Sequence, residues 1–132
     1  MRHRIELWVM GVSLGCAILL SGCPVALVGG AAVGTMAYLD GDLKSVEPHP
    51  LDQVYAATRK VLKDLDMKVV GKEVKEKTQA EISARDAEDR KVTIKLVSQY
   101  EGITDVSIRI GVFGDEKRSR SLYMKIHEAL QK

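Results

Sequence analysis

Few residues of this 132-residue chain have the types and spacing that covalent chemistry needs. They stand together at Leu20-Ser21-Gly22-Cys23. A cysteine thiol follows an aliphatic residue and two residues small enough to leave the backbone beside it accessible. What precedes them gives the stretch its context. Met1-Arg2-His3-Arg4-Ile5-Glu6 is a short head with a basic start, Leu7 to Leu20 is an apolar run, and Ser21-Gly22 is a small-residue exit. A basic head, a short apolar run and a small-residue exit make a secretory signal. The run is about 14 residues long, against the ~20 that a bilayer-spanning helix needs. Arg2 and Arg4 would hold the head on the cytoplasmic side.

Leu20-Ser21-Gly22-Cys23 resembles the lipobox of bacterial lipoproteins. The resemblance implies that a diacylglyceryl group alkylates the Cys23 thiol, that cleavage falls between Gly22 and Cys23, and that the new amine can be acylated in turn. The small residues matter because a peptidase must reach the backbone beside the modified sulfur. Cys16 fits worse, with Ser13 where the aliphatic residue should stand and with its own place inside the apolar run. The alternative is an ordinary cysteine behind an uncleaved anchor helix. One acyl chain anchors a protein marginally, whereas two or more hold it stably. A lipidated Cys23 therefore tethers the mature chain to a membrane without a spanning helix. Pro24 stands where many Gram-negative lipoproteins carry an aspartate that retains them in the inner membrane. Its presence points to the outer membrane, with the chain facing the periplasm.

The remainder is one small domain on a tether. The precursor carries a net charge of +2, and the signal removes two arginines and one glutamate. So even a balance gives no case for nucleic acid. With Cys16 removed and Cys23 acylated, the mature domain has no disulfide and must rely on packing or on a partner. Three divisions follow: 1–22 as lipoprotein signal peptide, 23–50 as lipidated glycine-rich tether, and 51–132 as the folded domain.

Along the tether, Val25 to Tyr38 is apolar and small. Gly30 and Gly34 have the spacing that lets membrane helices approach closely, but one such pair is weak, and a flexible apolar tether against the headgroups is the plainer reading. Asp40-Gly41-Asp42 reads as a turn, Leu43 to Val46 as a short strand, and Pro48-His49-Pro50 as a stiff spacer. Leu51 to Leu65 then has helical spacing, with Leu51, Val54, Tyr55, Thr58, Val61, Leu62 and Leu65 on one face. Four strands follow: an irregular one from Met67 to Val74, in which Gly71 marks a bulge, and three with clean period-two alternation around Ala80–Arg85, Val92–Val97 and Val106–Val112. Short connectors make them antiparallel. A last helix puts Ser119, Leu122, Tyr123, Ile126 and Leu130 on one side. The expected fold is α+β, a two-layer domain with a four-stranded antiparallel sheet and two helices on one face.

Leu51–Thr58, Lys91–Leu96 and Val106–Asp115, taken with the lipobox and tether, are similar to an uncharacterised family of small bacterial lipoproteins, domain of unknown function 3568. The resemblance covers nearly the whole mature chain and implies no activity.

Two regions could carry function. Val112-Phe113-Gly114-Asp115-Glu116 joins the last strand to the last helix, and Phe113 and Asp115 could contact a partner there, although a capped turn explains the same residues. The wet sheet face, with Glu81, Ser83, Arg85, Thr93, Lys95, Ser107 and Arg109, could meet an anionic envelope component, although mixed charges also suit a solvated face with cross-strand ion pairs. His49 reads as a spacer and His127 as a surface residue without a matched acid. Gly111 and Gly114 make no dinucleotide fingerprint, and no serine, cysteine or metal cluster meets the demands of catalysis. The expectation is a non-enzymatic, membrane-anchored envelope lipoprotein without a cofactor, whose domain binds an envelope protein or cell-wall partner through Arg109, Phe113 and Asp115. The competing expectation is a small-ligand carrier with a cavity lined by Tyr55, Tyr123 and the strand valines.

Overall fold

The computed structural model describes residues 35–71, 73–100 and 102–132, with the side chain of Tyr100 excepted. Cys23 and the Gly30–Gly34 spacing lie outside the described residues. Within them, each strand shows the alternation that its sequence carries. Ala80, Ile82 and Ala84 point inward from β5 (Gln79–Arg85), Val92, Ile94 and Leu96 from β6 (Lys91–Tyr100), and Val106, Ile108 and Ile110 from β7 (Ile103–Ile110).

Antiparallel register stacks these residues into rows. Leu43, Ile108, Ile94 and Ile82 stand in one line across four neighbouring strands, and all four are buried. Each such side chain contributes roughly 1.5–3 kcal/mol of transfer free energy. Helix α1 (Leu51–Asp64) adds Leu51, Val54, Val61 and Leu62 to the same core, and α2 (Glu116–Leu130) adds Leu122, Tyr123 and Ile126. Both helices thus cover the inner face of the sheet. Among the described residues no helix is long and apolar enough to cross a membrane.

The α+β class is as expected, but among the described residues the sheet has seven strands and not four. With β1 at Met36–Leu39, β2 at Asp42–Glu47, β3 at Lys68–Val69 and β4 at Val74–Lys75, the order is β1-β2-β7-β6-β5-β3, and β4 also pairs with β5. Two departures account for the difference. The first is a hairpin of β1 (Met36–Leu39) and β2 (Asp42–Glu47), which extends the sheet beyond β7. Its loop is Asp40-Gly41, with φ of 53° and 86°. Positive φ at both central residues is what a tight two-residue hairpin turn requires. The sheet therefore starts within the stretch read as tether, with Met36 and Tyr38 packed against the core. The second is the break of the irregular strand into β3 (Lys68–Val69) and β4 (Val74–Lys75), each paired with a different part of β5. Gly71, at φ 80°, lies between them and interrupts the strand outright, where a bulge would have kept it continuous.

Candidate functional site

The segment after β7 is braced by its neighbours and exposed at its tip. Arg109 donates from Nε to Asp42 Oδ1 at 2.5 Å and from its terminal nitrogen to the Asp40 carbonyl at 2.6 Å. Hydrogen bonding to the Asp42 carboxylate raises the Arg109 pKa above its usual value. Arg109 thereby fixes the β1–β2 turn against the end of β7. Gly41 and Gly114 meet backbone to backbone there. A Cβ on Gly114 would lie 2.2 Å from the Gly41 oxygen, and one on Gly41 would lie 2.7 Å from the Phe113 oxygen. Asp115 caps α2, accepting from the Arg118 N–H at 3.0 Å, and its other oxygen pairs with Arg118 Nε at 3.1 Å. Between these fixed points Val112 and Phe113 are 82% and 92% exposed.

The three residues singled out in the sequence thus lie at one end of the sheet in different roles. Arg109 and Asp115 hold the loop, and Phe113 is what the loop presents. Replacing Asp115 by alanine is expected to cost about 1 kcal/mol, the usual worth of an N-cap, read as a lower denaturation midpoint in urea at unchanged slope. The exposed ion pair with Arg118 adds little to that.

The sequence reading missed a second cluster. Glu47, the last residue of β2, is wholly buried. His127 of α2 bonds its carboxylate through Nδ1, at 3.0 Å from Oε1 and 3.2 Å from Oε2. The carboxylate accepts, so Nδ1 carries the proton. Nε2 can then accept from the Gln131 amide nitrogen, 2.7 Å away. His127 therefore does have a matched acid, contrary to its reading as a plain surface residue. His49 turns its Nδ1 toward Glu47 Oε2 at 3.7 Å, too far for a hydrogen bond, while its carbonyl accepts from Thr104 Oγ1 at 2.8 Å. The two histidines, far apart in sequence, thus face one carboxylate. No group of three or more His, Cys, Asp or Glu among the described residues is arranged to hold a metal ion.

Tyr123 completes the cluster. Its ring stacks on His127 with centroids 6.0 Å apart. Its hydroxyl lies beside Glu47 and Ser45 without reaching hydrogen-bond geometry with either. Burial, then the neighbouring Glu47 carboxylate, push the phenol up to about 12, against a smaller opposing effect of Ser45. The folded state thus holds this proton more tightly than the unfolded chain does. The stability that depends on it is complete below about pH 10 and falls as pH rises from there to about 12. Absorbance titration of the four tyrosines should show Tyr123 ionising last, together with unfolding. Tyr123→Phe should move that alkaline unfolding to higher pH.

The outer face of the sheet carries the residues expected there. Glu81, Lys95, Ser107 and Lys44 form one row, and Ser83, Thr93 and Arg109 the next. Both helices lie on the opposite face, and a shallow depression of about 320 Å³ lies over Thr93, Lys95, Ser107 and Arg109.

The chain belongs to the family described as protein of unknown function DUF3568, which matches residues 6–129. No curated protein matches it.

Proposed function

We propose that this chain is a lipid-anchored protein of the bacterial cell envelope, held through Cys23 in the outer membrane and facing the periplasm, whose α+β domain is a non-enzymatic binding or structural module. The observation that carries the binding half is the braced tip. An aromatic side chain that is 92% exposed, on a loop fixed by Arg109, Gly41–Gly114 packing and the Asp115 cap, is preorganised for contact. Scattered exposed apolar residues need no explanation, but a rigid aromatic at a loop apex loses little entropy when a partner covers it. The anchoring half rests on the basic head, short apolar run and lipobox-like Leu20-Ser21-Gly22-Cys23.

Packing favours this reading over a small-ligand carrier. A carrier needs space between sheet and helices, lined by Tyr55, Tyr123 and the strand valines. Tyr123, Val92 and Val106 are buried in one continuous core, and the Tyr55 ring lies under Lys75 Nζ, 4.8 Å from its centroid.

Two measurements test the two halves. Intact mass of the protein from membranes of its own host should give a chain starting at Cys23 plus acyl groups, and Cys23→Ala should abolish the addition. An unprocessed mass would sink the anchor. A photo-crosslinking residue at position 113 in living cells should give adducts that one at Met124, exposed on α2, does not. Equal labelling from both positions would remove the special role of the tip.

A further inference from the structure

We infer that the end of the open sheet face bearing Lys68, Arg85 and Lys91, together with the apolar tip Leu39, Val112 and Phe113, docks on an anionic lipid bilayer. The inference rests on the lipid-anchored reading above and names the partner of the same tip.

Strand register sets Lys68 opposite Arg85 and Arg85 opposite Lys91. Three exposed cations therefore stand side by side across β3, β5 and β6. Like charges directly opposite one another destabilise a sheet, and the chain offsets this only in part. Arg85 reaches Asp89 at 3.3 Å, whereas Lys68 and Lys91 make no ion pair among the described residues. The other acids of the nearby turn are engaged elsewhere, Asp86 by Arg90 and Glu88 by Arg90 and Arg118. A layer of phosphate groups over this row would relieve the repulsion. Lysine, as a point charge on a flexible stem, needs no fixed geometry from such a layer.

The apolar part lies at the same end. The Gly111 N–H donates to the Lys91 carbonyl at 2.8 Å, so Val112 and Phe113 leave the sheet beside the cation row. Leu39, also exposed, pairs with Asp42, the residue that Arg109 grips. Cations for headgroups beside exposed apolar side chains for the acyl boundary are the two requirements of a surface that lies on an anionic bilayer. Residues between Cys23 and Thr35 can span about 40 Å when extended.

The test uses the full chain with Cys23→Ser, which lacks the thiol that acylation needs. It is sedimented with vesicles of pure phosphatidylcholine and with a phosphatidylcholine–phosphatidylglycerol mixture of about seven to three. The basic head and apolar run of residues 1–20 are common to the two triple variants below, so the difference between those variants reads the face. Binding should be tighter to the anionic vesicles, and the difference should vanish in molar salt. Lys68→Gln/Arg85→Gln/Lys91→Gln should weaken anionic-vesicle binding about a hundredfold, since a cation near such a surface counts for about fivefold. Lys60→Gln/Lys63→Gln/Lys125→Gln removes equal charge from the helices and should change binding only a few-fold. Thermal melts confirm that both variants fold. Equal binding to the two vesicle types, or equal losses in the two triple variants, overturns the proposal. Because Cys23 is absent, the result stands apart from the anchor: a missing acyl mass with intact vesicle preference sinks the anchor alone, and the reverse sinks the docking alone.

Discussion

His127→Ala is expected to lower stability by about 3 kcal/mol, because it removes the hydrogen-bonded partner of a buried carboxylate. Substitutions at ordinary surface positions fall within about 0.5 kcal/mol, so the two readings of this histidine differ widely. The Glu47 side chain is fully enclosed and His127 contacts both of its oxygens. After the substitution the nearest imidazole is that of His49, at 3.7 Å from Oε2. The stacking of Tyr123 on His127 is lost as well. A domain of this size loses roughly 4–8 °C of melting temperature per kcal/mol, so the drop should exceed about 10 °C. Glu47→Leu/His127→Leu, which removes both partners and fills the space, should recover most of that, since buried pairs replaced by apolar residues are often neutral. A single variant that melts within a few degrees of the parent would reduce the cluster to an incidental contact. A double variant no better than the single one would show that the loss comes from shape and not from the unpaired charge.

The inward place of that carboxylate follows from the alternation of β2. Lys44 points outward from β2, so Leu43, Ser45 and Glu47 must point inward by period two. A glutamate at an inward position needs a partner, and a histidine on the apolar side of the last helix is the natural candidate. As a short strand next to an apolar tether, Leu43 to Val46 stops one residue before Glu47, so the sequence pattern leaves that inward position unmarked. The hairpin went the same way. Asp40-Gly41 is a strong turn signal, but Met36-Ala37-Tyr38-Leu39 carries no polar residue to make its alternation visible, so its strand merged with the apolar stretch before it. The rest of the fold was legible because each central strand alternates cleanly and each helix has one apolar stripe. Phe113 and Asp115 were legible too, one as an aromatic in a glycine-bearing turn and one as a cap. The brace from Arg109 to Asp42 and Asp40 was not, because β2 joins β7 across some sixty residues of chain and no local pattern encodes that pairing. The row Lys68–Arg85–Lys91 was hidden for the same reason, since alternation gives the face of a residue and only register gives its neighbours.

Gly114→Ala should cost about 3 kcal/mol, and Gly111→Ala only about 1 kcal/mol, although the two glycines lie three residues apart in one loop. Both have positive φ, 83° and 77°, so both substitutions incur the strain of a left-handed backbone, roughly 1–2 kcal/mol. They differ in space. A Cβ at Gly111 meets nothing within 4 Å, whereas one at Gly114 would lie 2.2 Å from the Gly41 oxygen, 2.4 Å from the Tyr38 hydroxyl and 2.6 Å from the Gly41 Cα. Two of those atoms are backbone and cannot swing aside, so the loop must move away from the hairpin turn. That movement separates the turn from the Phe113 apex and loosens the Arg109 contacts. Stability and presentation should therefore fall together in Gly114→Ala, with weaker crosslinking from position 113 and faster amide exchange at Asp42 and Gly41. Gly111→Ala should lose the smaller amount of stability and leave crosslinking unchanged. Equal costs at the two positions would mean that the close approach of turn and loop is not what fixes the tip. Loss of crosslinking in Gly111→Ala alone would place the decisive rigidity in the end of β7.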